Sequence, residues 1–530
     1  MDEEVIKTAK FLDEINDKIK GIFENPIIFL SLIGITAFLF RLYFLPNLPF
    51  TQDAIAYFQY ANDLAVLHSF PSSFSYLESG WPMFLSIFIS TIVLENFMDY
   101  VYLQRLITVS ISVITIIPLY LLSKKIFDSK SLASISTILF VFEPHIVNNS
   151  LQGLSEPIFI LLSTITIFFF LSHNQKIFYS SFVTVAFLTI VRTQGIILFL
   201  IMMTLMLIFE KKDKKIIAKY ALVILIFCLV LLPIISLRTQ GEGNDLLVGR
   251  ITGVVSDISV EENNRNENIT DIITKGGEVL GKRIFQTMSP FFIIFVPFGI
   301  LMIFQERNRL NMSIILTVGI TLIFSIYIFW ASTDIRNIFW LYPLFGIISV
   351  FTIRKMTEGT PFPSLAQISI IGGIVLVSWF YLFSSAVDVT HEEEALKIAY
   401  YLSESTQVIN HFLPESGYLA IKPLEEVEKF PVMHTSISST IPKALEIHKS
   451  NKSIFTNLEE FVLESRDEGL THIVTDLNSD RPEYLKELFH NEEKYPYLEK
   501  VFDSRENGYA YHVKVFKIIY EKFDELHNNG

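Results

Sequence analysis

"FTQDAIAYFQYANDLA", residues 50–65, follows directly after the first apolar stretch of the chain, residues 27–45. This order places the carboxylate of Asp53 just beyond a stretch long enough to cross a membrane, with Tyr57 one helical turn later. Because charged groups are costly at membrane depth, an acid at such a position is informative about function. What it indicates depends on how often the chain crosses the membrane and on which side Asp53 lies.

The composition is that of a membrane protein with an acidic tail. The 530 residues are 51% hydrophobic, include 48 Phe, and have a mean hydropathy of +0.44, which is typical of polytopic membrane proteins. The single cysteine, Cys228, excludes an internal disulfide and a cysteine-based metal site. From residue 388 onward, 27 Asp and Glu stand against 15 Lys and Arg, which accounts for −12 of the net charge of −13. We therefore expect an apolar body and an acidic one, and no nucleic-acid partner.

Eleven apolar runs have about the length that a spanning helix needs, although several are short. They cover residues 27–45, 101–122, 132–147, 158–171, 177–191, 196–209, 220–237, 291–304, 312–330, 338–353 and 368–386. A twelfth run, "GWPMFLSIFISTIVL" from Gly80, is ambiguous by itself.

The distribution of Lys and Arg decides against a crossing by this twelfth run. If it does not cross, the basic clusters at 124–130, 211–215, 307–309 and 354–355 all face the cytoplasm, and the loop 46–100 on the outer side contains no Lys or Arg. A crossing would move those clusters outside, against the positive-inside rule. The sequence thus predicts a cytoplasmic N-terminus, an interfacial helix at Gly80 and an outer C-terminal domain.

Three segments are predicted. Residues 1–25 have the pattern of an amphipathic cytoplasmic helix, and residues 26–387 form a transmembrane domain with a first outer loop at 46–100 and a long outer loop at 238–290. Residues 388–530 alternate strand-like runs ("GYLAIKP", "THIVTDL", "YAYHVKVFKIIY") with the helix-like "NLEEFVLESRDEG", which predicts a soluble α/β domain.

Polar groups from several segments collect at the predicted outer ends of the spans. They are Asp53, Glu143, His145, Glu156, Arg192, Asp334 and Arg336. A transporter more often places such groups near the midplane, on helices broken by Gly or Pro. The pattern therefore favours a surface-facing active site with access to lipid.

The ordered set of motifs resembles the GT-C membrane glycosyltransferases. Asp53 and Tyr57 are similar to the family's acid in the first outer loop, and "GWPMFL" to its Gly-x-Pro helix start. "GLSEPIF", with Glu156, resembles the second acidic loop, "VRTQGIILF" the Arg-x-x-Gly before an apolar helix, and "DIRNIFWLYPLF" the helix that begins with an arginine. The oligosaccharyltransferase pattern Trp-Trp-Asp is absent and its paired aspartates are replaced by the lone Glu156, which favours transfer of a single sugar.

The resemblance implies a GT-C-like fold of about 11 transmembrane helices and an inverting hexosyltransferase. The enzyme would use a polyprenyl- or dolichyl-phosphate sugar and a protein, lipid or glycan acceptor, in the manner of a protein mannosyltransferase. Asp53 is the candidate base. Arg336 is the first candidate for the leaving phosphate, with Arg192 and Lys282 or Arg283 as further ones. Tyr57 is a candidate for stacking on the sugar. Glu156 would orient the acceptor or, like Asp53, hold a divalent cation such as Mg or Mn.

Structural interpretations and a second function remain open at this stage. Asp53 and Glu156 are also good helix-capping residues, and the structural alternative for Arg336 is to extend to the membrane interface or to pair with Asp334. The alternative function is a transporter or flippase of lipid-linked or small polar substrates. An Ile-, Phe-, Lys- and Asn-rich composition suggests a microbe. The plasma membrane of a microbe is therefore the expected location, with the endoplasmic reticulum as the open alternative.

Overall fold

The computed structural model describes most of the chain in two compact units. It describes residues 14, 18, 21, 25–48, 52–71, 77–94, 97–210, 215–242, 269–290, 292–384, 393–394, 397, 410–413, 418–421, 457–466, 472–476 and 482–528. The first unit comprises Met1–Leu45, Leu67–Ser86 and Gln104–Ala386, and the second comprises Pro46–Val66, Ile87–Leu103 and Val387–Gly530. The predicted N-terminal helix at 1–25 falls almost wholly outside the described residues.

Within the described residues, each of the apolar runs is mostly helical. The helices in chain order are α1 (Pro26–Tyr43), α2 (Gln52–Leu67), α3 (Gly80–Thr91), α4 (Phe97–Ile114), α5 (Ile116–Phe127), α6 (Lys130–Val141), α7 (Pro144–Ser150), α8 (Glu156–Phe170), α9 (Gln175–Val191), α10 (Gly195–Glu210), α11 (Ile216–Glu242), α12 (Ile269–Met288), α13 (Phe292–Gln305), α14 (Arg309–Ala331), α15 (Tyr342–Thr357) and α16 (Pro363–Ser384). A 3₁₀-helix, Ile335–Leu341, leads directly into α15.

By length and composition, six helices among the described residues are able to cross a membrane, or up to eight if each of two bent helix pairs counts as one span. One bent pair is α6 with α7, at 59°, and the other is α12 with α13, at 104°. The runs at α3, α8, α9 and α10 form shorter apolar helices. The prediction of a polytopic helical protein is confirmed, and the count of about eleven spans stays a prediction.

Helix α15 lies at the centre of the first unit. In the candidate span that it forms with the 3₁₀-helix, 89% of the apolar window is buried. Two glycines let neighbouring helices approach closely: a Cβ at Gly299 of α13 would lie 2.1 Å from the Ile348 carbonyl oxygen, and one at Gly346 would lie 3.1 Å from the Ser136 carbonyl oxygen of α6. Small residues at helix crossings are the usual means of tight packing in membranes.

The described C-terminal part of the second unit mixes strands and helices. Strands β1 (Asn410–Leu413) and β2 (Tyr418–Ile421) pair antiparallel, and β3 (His472–Thr475), β4 (Leu498–Asp503) and β5 (Lys514–Ile518) form a sheet in the order β3-β5-β4. Helices α17 (Leu458–Ser465), α18 (Glu483–His490) and α19 (Tyr520–Asn528) complete it. Val462, Leu488 and Phe516 are among its core residues. The predicted combination of strands and helices is confirmed here.

We predict that Gly299→Ala destabilises the first unit, because the added methyl group collides with a backbone carbonyl that cannot rotate away. Overpacking of this kind costs about 1–3 kcal/mol. Gly319→Ala in α14 is the matched control, since nothing lies within 4 Å of a Cβ there and helix-interior Gly→Ala gains about 0.5–1 kcal/mol. Thermal unfolding in detergent measures both. Equal midpoints for the two variants would contradict this account of the crossing.

Candidate active site

The centre of the candidate site is the buried carboxylate of Glu156, at the first residue of α8. The helix is capped by Ser155, whose side chain makes no capping hydrogen bond, and Pro157 follows in the first turn. The Glu156 side chain is only 3% exposed, and its Oε1 accepts a hydrogen bond from Arg192 Nη1. Its Oε2 is buried and has no hydrogen-bond partner among the residues that the structure describes. Glu156 therefore does not serve as the cap of its own helix, and one of its carboxylate oxygens is a buried acceptor.

Arg192 reaches Glu156 because α9 ends at the preceding residue. Arg192 has extended backbone angles (φ −148°, ψ 132°), and its N–H donates to the Leu188 carbonyl to close the last turn. Gly195 N–H donates back to the Arg192 carbonyl at 2.9 Å, and α10 begins there. The start of α3 packs directly on this helix end, since a Cβ at Gly80 would lie 2.6 Å from the Val191 nitrogen.

Arg336 approaches the same carboxylate from the 3₁₀-helix. Asp334 caps that helix by accepting the Arg336 N–H at 2.9 Å. The Asp334 carboxylate also holds the guanidinium, with Arg336 Nη2 at 2.6 Å from Oδ2 and Nε at 3.0 Å from Oδ1. Arg336 Nε lies 3.8 Å from Glu156 Oε1. The guanidinium thus bridges a helix-capping acid and the central acid.

The four charges alternate in sign from Asp334 through Arg336 and Glu156 to Arg192. Burial alone would raise the pKa of the Asp334 carboxyl, but the hydrogen bonds and charge of Arg336, together with the charge of Arg192, lower it below its ordinary value. Both guanidiniums keep partial solvent access, at 14% for Arg192 and 27% for Arg336. The arrangement presents two planar cations, which suit an incoming phosphate, beside a buried acceptor oxygen.

An uncharged pair joins the segments that carry the two arginines. Gln194 Nε2 donates a hydrogen bond to Asn337 Oδ1 at 2.5 Å. Gln194 follows Arg192 by two residues, and Asn337, which is 7% exposed, follows Arg336 directly. No sequence pattern marked this pair, because the two residues are 143 positions apart.

A second polar cluster in the same unit contains residues from the sequence analysis and one that it missed. Glu143 is fully buried, caps α7 by accepting the Ile146 N–H at 2.8 Å, and pairs with His145 Nδ1 at 2.8 Å. Arg41 of α1, also fully buried, interacts electrostatically with Glu143. The signal that could have found it is the arginine near the end of the apolar run 27–45.

Neutral groups complete the environment of this second cluster. Arg41 Nε and Nη2 donate to the hydroxyls of Ser150 at 3.1 Å and Ser112 at 3.2 Å. The His145 ring packs among those of Phe339, Tyr342 and Tyr381. Since Phe339 belongs to the 3₁₀-helix, the cluster supports the segment that carries Arg336.

Asp53 and Tyr57 belong to the second unit, on α2. Asp53 is the second residue of the helix and is exposed, whereas Tyr57 is buried. An acid in the first turn interacts favourably with the helix dipole, and this position leaves its carboxylate accessible. The same helix carries a half-buried acid that the sequence analysis did not single out, Asp63. Burial raises its pKa to about 6.

The structure thus brings Glu156, Arg192 and Arg336 together and places Asp53 and Tyr57 in the other unit. The further phosphate candidates on α12 are engaged within that helix: Lys282 pairs with Glu278, and Arg283 donates to Gln286. Within the described part of the chain, no group of three or more His, Cys, Asp and Glu side chains is arranged to hold a metal ion.

Solved structures show which known fold the chain shares. ArnT from Cupriavidus metallidurans bound to undecaprenyl phosphate matches with a TM-score of 0.58 and 8% identity, over 93% of this chain and 97% of that one. The oligosaccharyltransferase of Archaeoglobus fulgidus in its apo form matches with a TM-score of 0.52 and 13% identity, over 86% of this chain and 70% of that one.

The archaeal oligosaccharyltransferase AglB from Archaeoglobus fulgidus, in complex with an inhibitory peptide and a dolichol-phosphate, matches with a TM-score of 0.50 and 12% identity, over 84% of this chain and 69% of that one. The structure of the Archaeoglobus fulgidus oligosaccharyltransferase with zinc and sulfate also matches, with a TM-score of 0.49. This chain spans only 55% of the length of that protein. At these identities the likeness shows the fold. The chain is a polytopic membrane protein with a GT-C-like fold, as predicted.

The chain belongs to the DUF2079 family of predicted membrane proteins. The family's sequence pattern matches residues 83–413, which is 331 of 530 residues and includes Glu156, Arg192 and Arg336. No curated protein matches the chain.

We predict that Arg41 and Glu143 depend on each other for stability. Glu143→Gln removes the negative charge that acts on the buried Arg41 guanidinium, and a buried charge left uncompensated is destabilising. The double variant Arg41→Met/Glu143→Gln should lose less than the sum of the two single losses. Chemical unfolding in detergent measures these free energies. Glu278→Gln, in the exposed pair with Lys282, should leave them unchanged. Strictly additive losses would refute the coupling.

We predict a pH dependence from Asp63. Its carboxyl stays protonated to about pH 6 in the folded protein but ionises near 3.8 in the unfolded chain. Between these values the folded state binds the extra proton, so stability falls as the pH rises from about 4 to about 6 and then levels off. Asp63→Asn should therefore raise the thermal midpoint relative to wild type at pH 7 and make no difference at pH 4. An equal gain at both values would contradict this origin.

Proposed function

We propose that the chain is an integral membrane glycosyltransferase. It moves a single sugar, a hexose, from a polyprenyl-phosphate donor to a hydroxyl of a protein, lipid or glycan acceptor, with inversion at the anomeric carbon. The observation that carries the proposal is the convergence of two guanidiniums, Arg192 and Arg336, on the one buried carboxylate of Glu156. Support also comes from the shared fold with ArnT, whose structure contains undecaprenyl phosphate, and with AglB, whose structure contains a dolichol-phosphate.

The two arginines stabilise the leaving group, which is the phosphate of the lipid donor. As the bond between the anomeric carbon and the phosphate oxygen breaks, negative charge grows on the lipid phosphate. Arg336 and Arg192 present planar forks of N–H donors that bind phosphate oxygens in pairs. Because both cations are already oriented by carboxylates, little reorganisation is needed when the charge develops.

The acceptor side of the reaction requires a base and a positioning group. A carboxylate takes the proton of the acceptor hydroxyl as its oxygen attacks the anomeric carbon, and the polyprenyl phosphate departs from the opposite face. Asp53 is proposed for this role from the sequence resemblance alone. This single displacement inverts the configuration. Glu156 Oε2, which is buried and has no partner within the described part of the chain, accepts a hydrogen bond from a hydroxyl of the acceptor or the sugar. Tyr57 lies one turn from Asp53 and supports the helix that presents it.

The charges around Glu156 bear on whether a divalent metal binds there. Mg and Mn prefer several oxygen ligands with net negative charge, whereas Glu156 has two guanidiniums beside it. These residues do not fit a metal at Glu156, and the guanidiniums supply the positive charge that a cation would bring there. Asp53 remains the other candidate ligand, and no step above depends on a metal.

The location proposed for the reaction follows from the charge distribution of the loops. The lysine- and arginine-rich loops face the cytoplasm together with the N-terminus, and the acidic C-terminal domain lies outside. The reaction then takes place on the outer face of a microbial plasma membrane, where lipid-linked sugars are used.

The test is turnover of radiolabelled polyprenyl-phosphate hexoses by the purified protein in lipid, with membranes as the acceptor source. Wild type should consume one donor, and Asp53→Asn should lower its kcat by about 10²–10⁴-fold, since general base catalysis contributes that much. Asp99→Asn is the matched control, because Asp99 is also an exposed acid in the first turn of a helix of the same chain.

Two outcomes would count against the proposal. Equal turnover by wild type and Asp53→Asn would remove Asp53 from the chemistry. Consumption of no donor by a folded wild-type protein would refute the transferase and favour the transporter or flippase.

A further inference from the structure

We propose that Gln194 and Asn337 are positioning residues that set the distance between the two phosphate-binding arginines. The inference rests on the proposed function, since it concerns how the same site holds a lipid phosphate. Gln194 Nε2 donates to Asn337 Oδ1 at 2.5 Å, and this bond joins the turn after α9 to the 3₁₀-helix.

Neither arginine stands on a backbone that fixes its position by itself. Arg192 is the extended residue that ends α9. Arg336 lies in a 3₁₀-helix of seven residues, and such helices rarely exceed three or four residues because their hydrogen bonds are poorer. The separation of the two guanidiniums therefore depends on contacts between the two segments rather than on one rigid helix.

The charged contacts between these segments cannot keep that separation constant during the reaction. Arg192 and Arg336 are like charges held near each other by Glu156 Oε1. When a phosphate binds, it competes with Glu156 for the same N–H donors, and the attraction that joins the segments through the carboxylate weakens. An amide–amide hydrogen bond carries no net charge, so the phosphate does not compete for it in this way.

The amide pair is also suited to this task by its surroundings. Asn337 is 7% exposed, so water offers little competition for the bond. Each amide lies within two residues of the arginine that it positions. The pair thus acts through Arg192 and Arg336 and is not itself expected to contact the phosphate.

The experiment compares binding of undecaprenyl phosphate and of undecaprenol, which lacks the phosphate, to the full-length protein in nanodiscs. Gln194→Met and Asn337→Leu remove the hydrogen bond while keeping much of the side-chain volume. Each should weaken binding of undecaprenyl phosphate about five- to tenfold, the effect of one hydrogen bond, and leave binding of undecaprenol unchanged. The double variant should lose no more than the larger single loss.

Two further variants separate positioning from general stability. Thr166→Val removes a hydroxyl–hydroxyl bond of 2.9 Å between α8 and α9, the helices that carry Glu156 and end at Arg192, and it should not change the phosphate preference. The exchange Gln194→Asn/Asn337→Gln keeps an amide pair of the same total length. It should restore affinity to within about twofold of wild type, a residual below the effect of one hydrogen bond.

The inference is overturned if Gln194→Met binds undecaprenyl phosphate like wild type while Arg336→Met loses affinity. It is also overturned if the losses from Gln194→Met and Asn337→Leu multiply in the double variant, or if both lipids weaken together. A wild type that binds undecaprenyl phosphate no better than undecaprenol would instead refute the proposed function.

Discussion

A carboxylate buried in the membrane part of a protein has to be neutralised by groups that the fold delivers to it, and here that constraint falls on Glu156. Its side chain is almost fully removed from solvent, and its two cationic neighbours come from segments 36 and 180 residues further along the chain. Burying an unpaired charge costs several kcal/mol. The α-helices therefore end at Arg192 and give way to the 3₁₀-helix at Arg336, and at these two places the chain supplies positive charge to the Glu156 carboxylate.

The rest of the first unit holds those breaks in place. The Glu143 cluster packs its histidine on Phe339 of the 3₁₀-helix, while on another side Trp340 packs on Phe159, one turn beyond Glu156. Directly after this segment, α15 is buried among neighbours that approach closely at Gly299 and Gly346. The segment that carries Arg336 thus leads into the most buried candidate span among the described residues, and this packing supports its backbone.

The sequence was sufficient to predict the helices. It was also sufficient to predict which helix ends carry polar groups. Each apolar run became a helix because a membrane leaves the backbone few alternatives, and acids and arginines outside such runs have to gather where spans end. Gly80 was recognised as a helix start, but its role against Val191 was not, because a close backbone approach leaves no mark on a single sequence.

Contacts between distant segments could not be predicted from the sequence, because a single sequence does not show which helices pack together. The bond between Gln194 and Asn337 and the interaction of Arg41 with Glu143 depend on how helices pack, and packing is decided by many weak contacts together. For Glu156, the sequence pattern also allowed a role that the structure does not show. Glu-Pro at a helix start is a common capping pattern, and only the fold revealed that the carboxylate turns away from its own helix to Arg192.

Arg192 and Arg336 are proposed to form the binding site for a lipid phosphate. A structure of the protein in nanodiscs with undecaprenyl phosphate tests this most directly. The account predicts density for the phosphate within hydrogen-bond distance of both guanidiniums, about 2.7–2.9 Å from nitrogen to oxygen, with the lipid chain leading away from Glu156. Phosphate density bound elsewhere, with the Arg192–Glu156–Arg336 contacts unchanged, would contradict it.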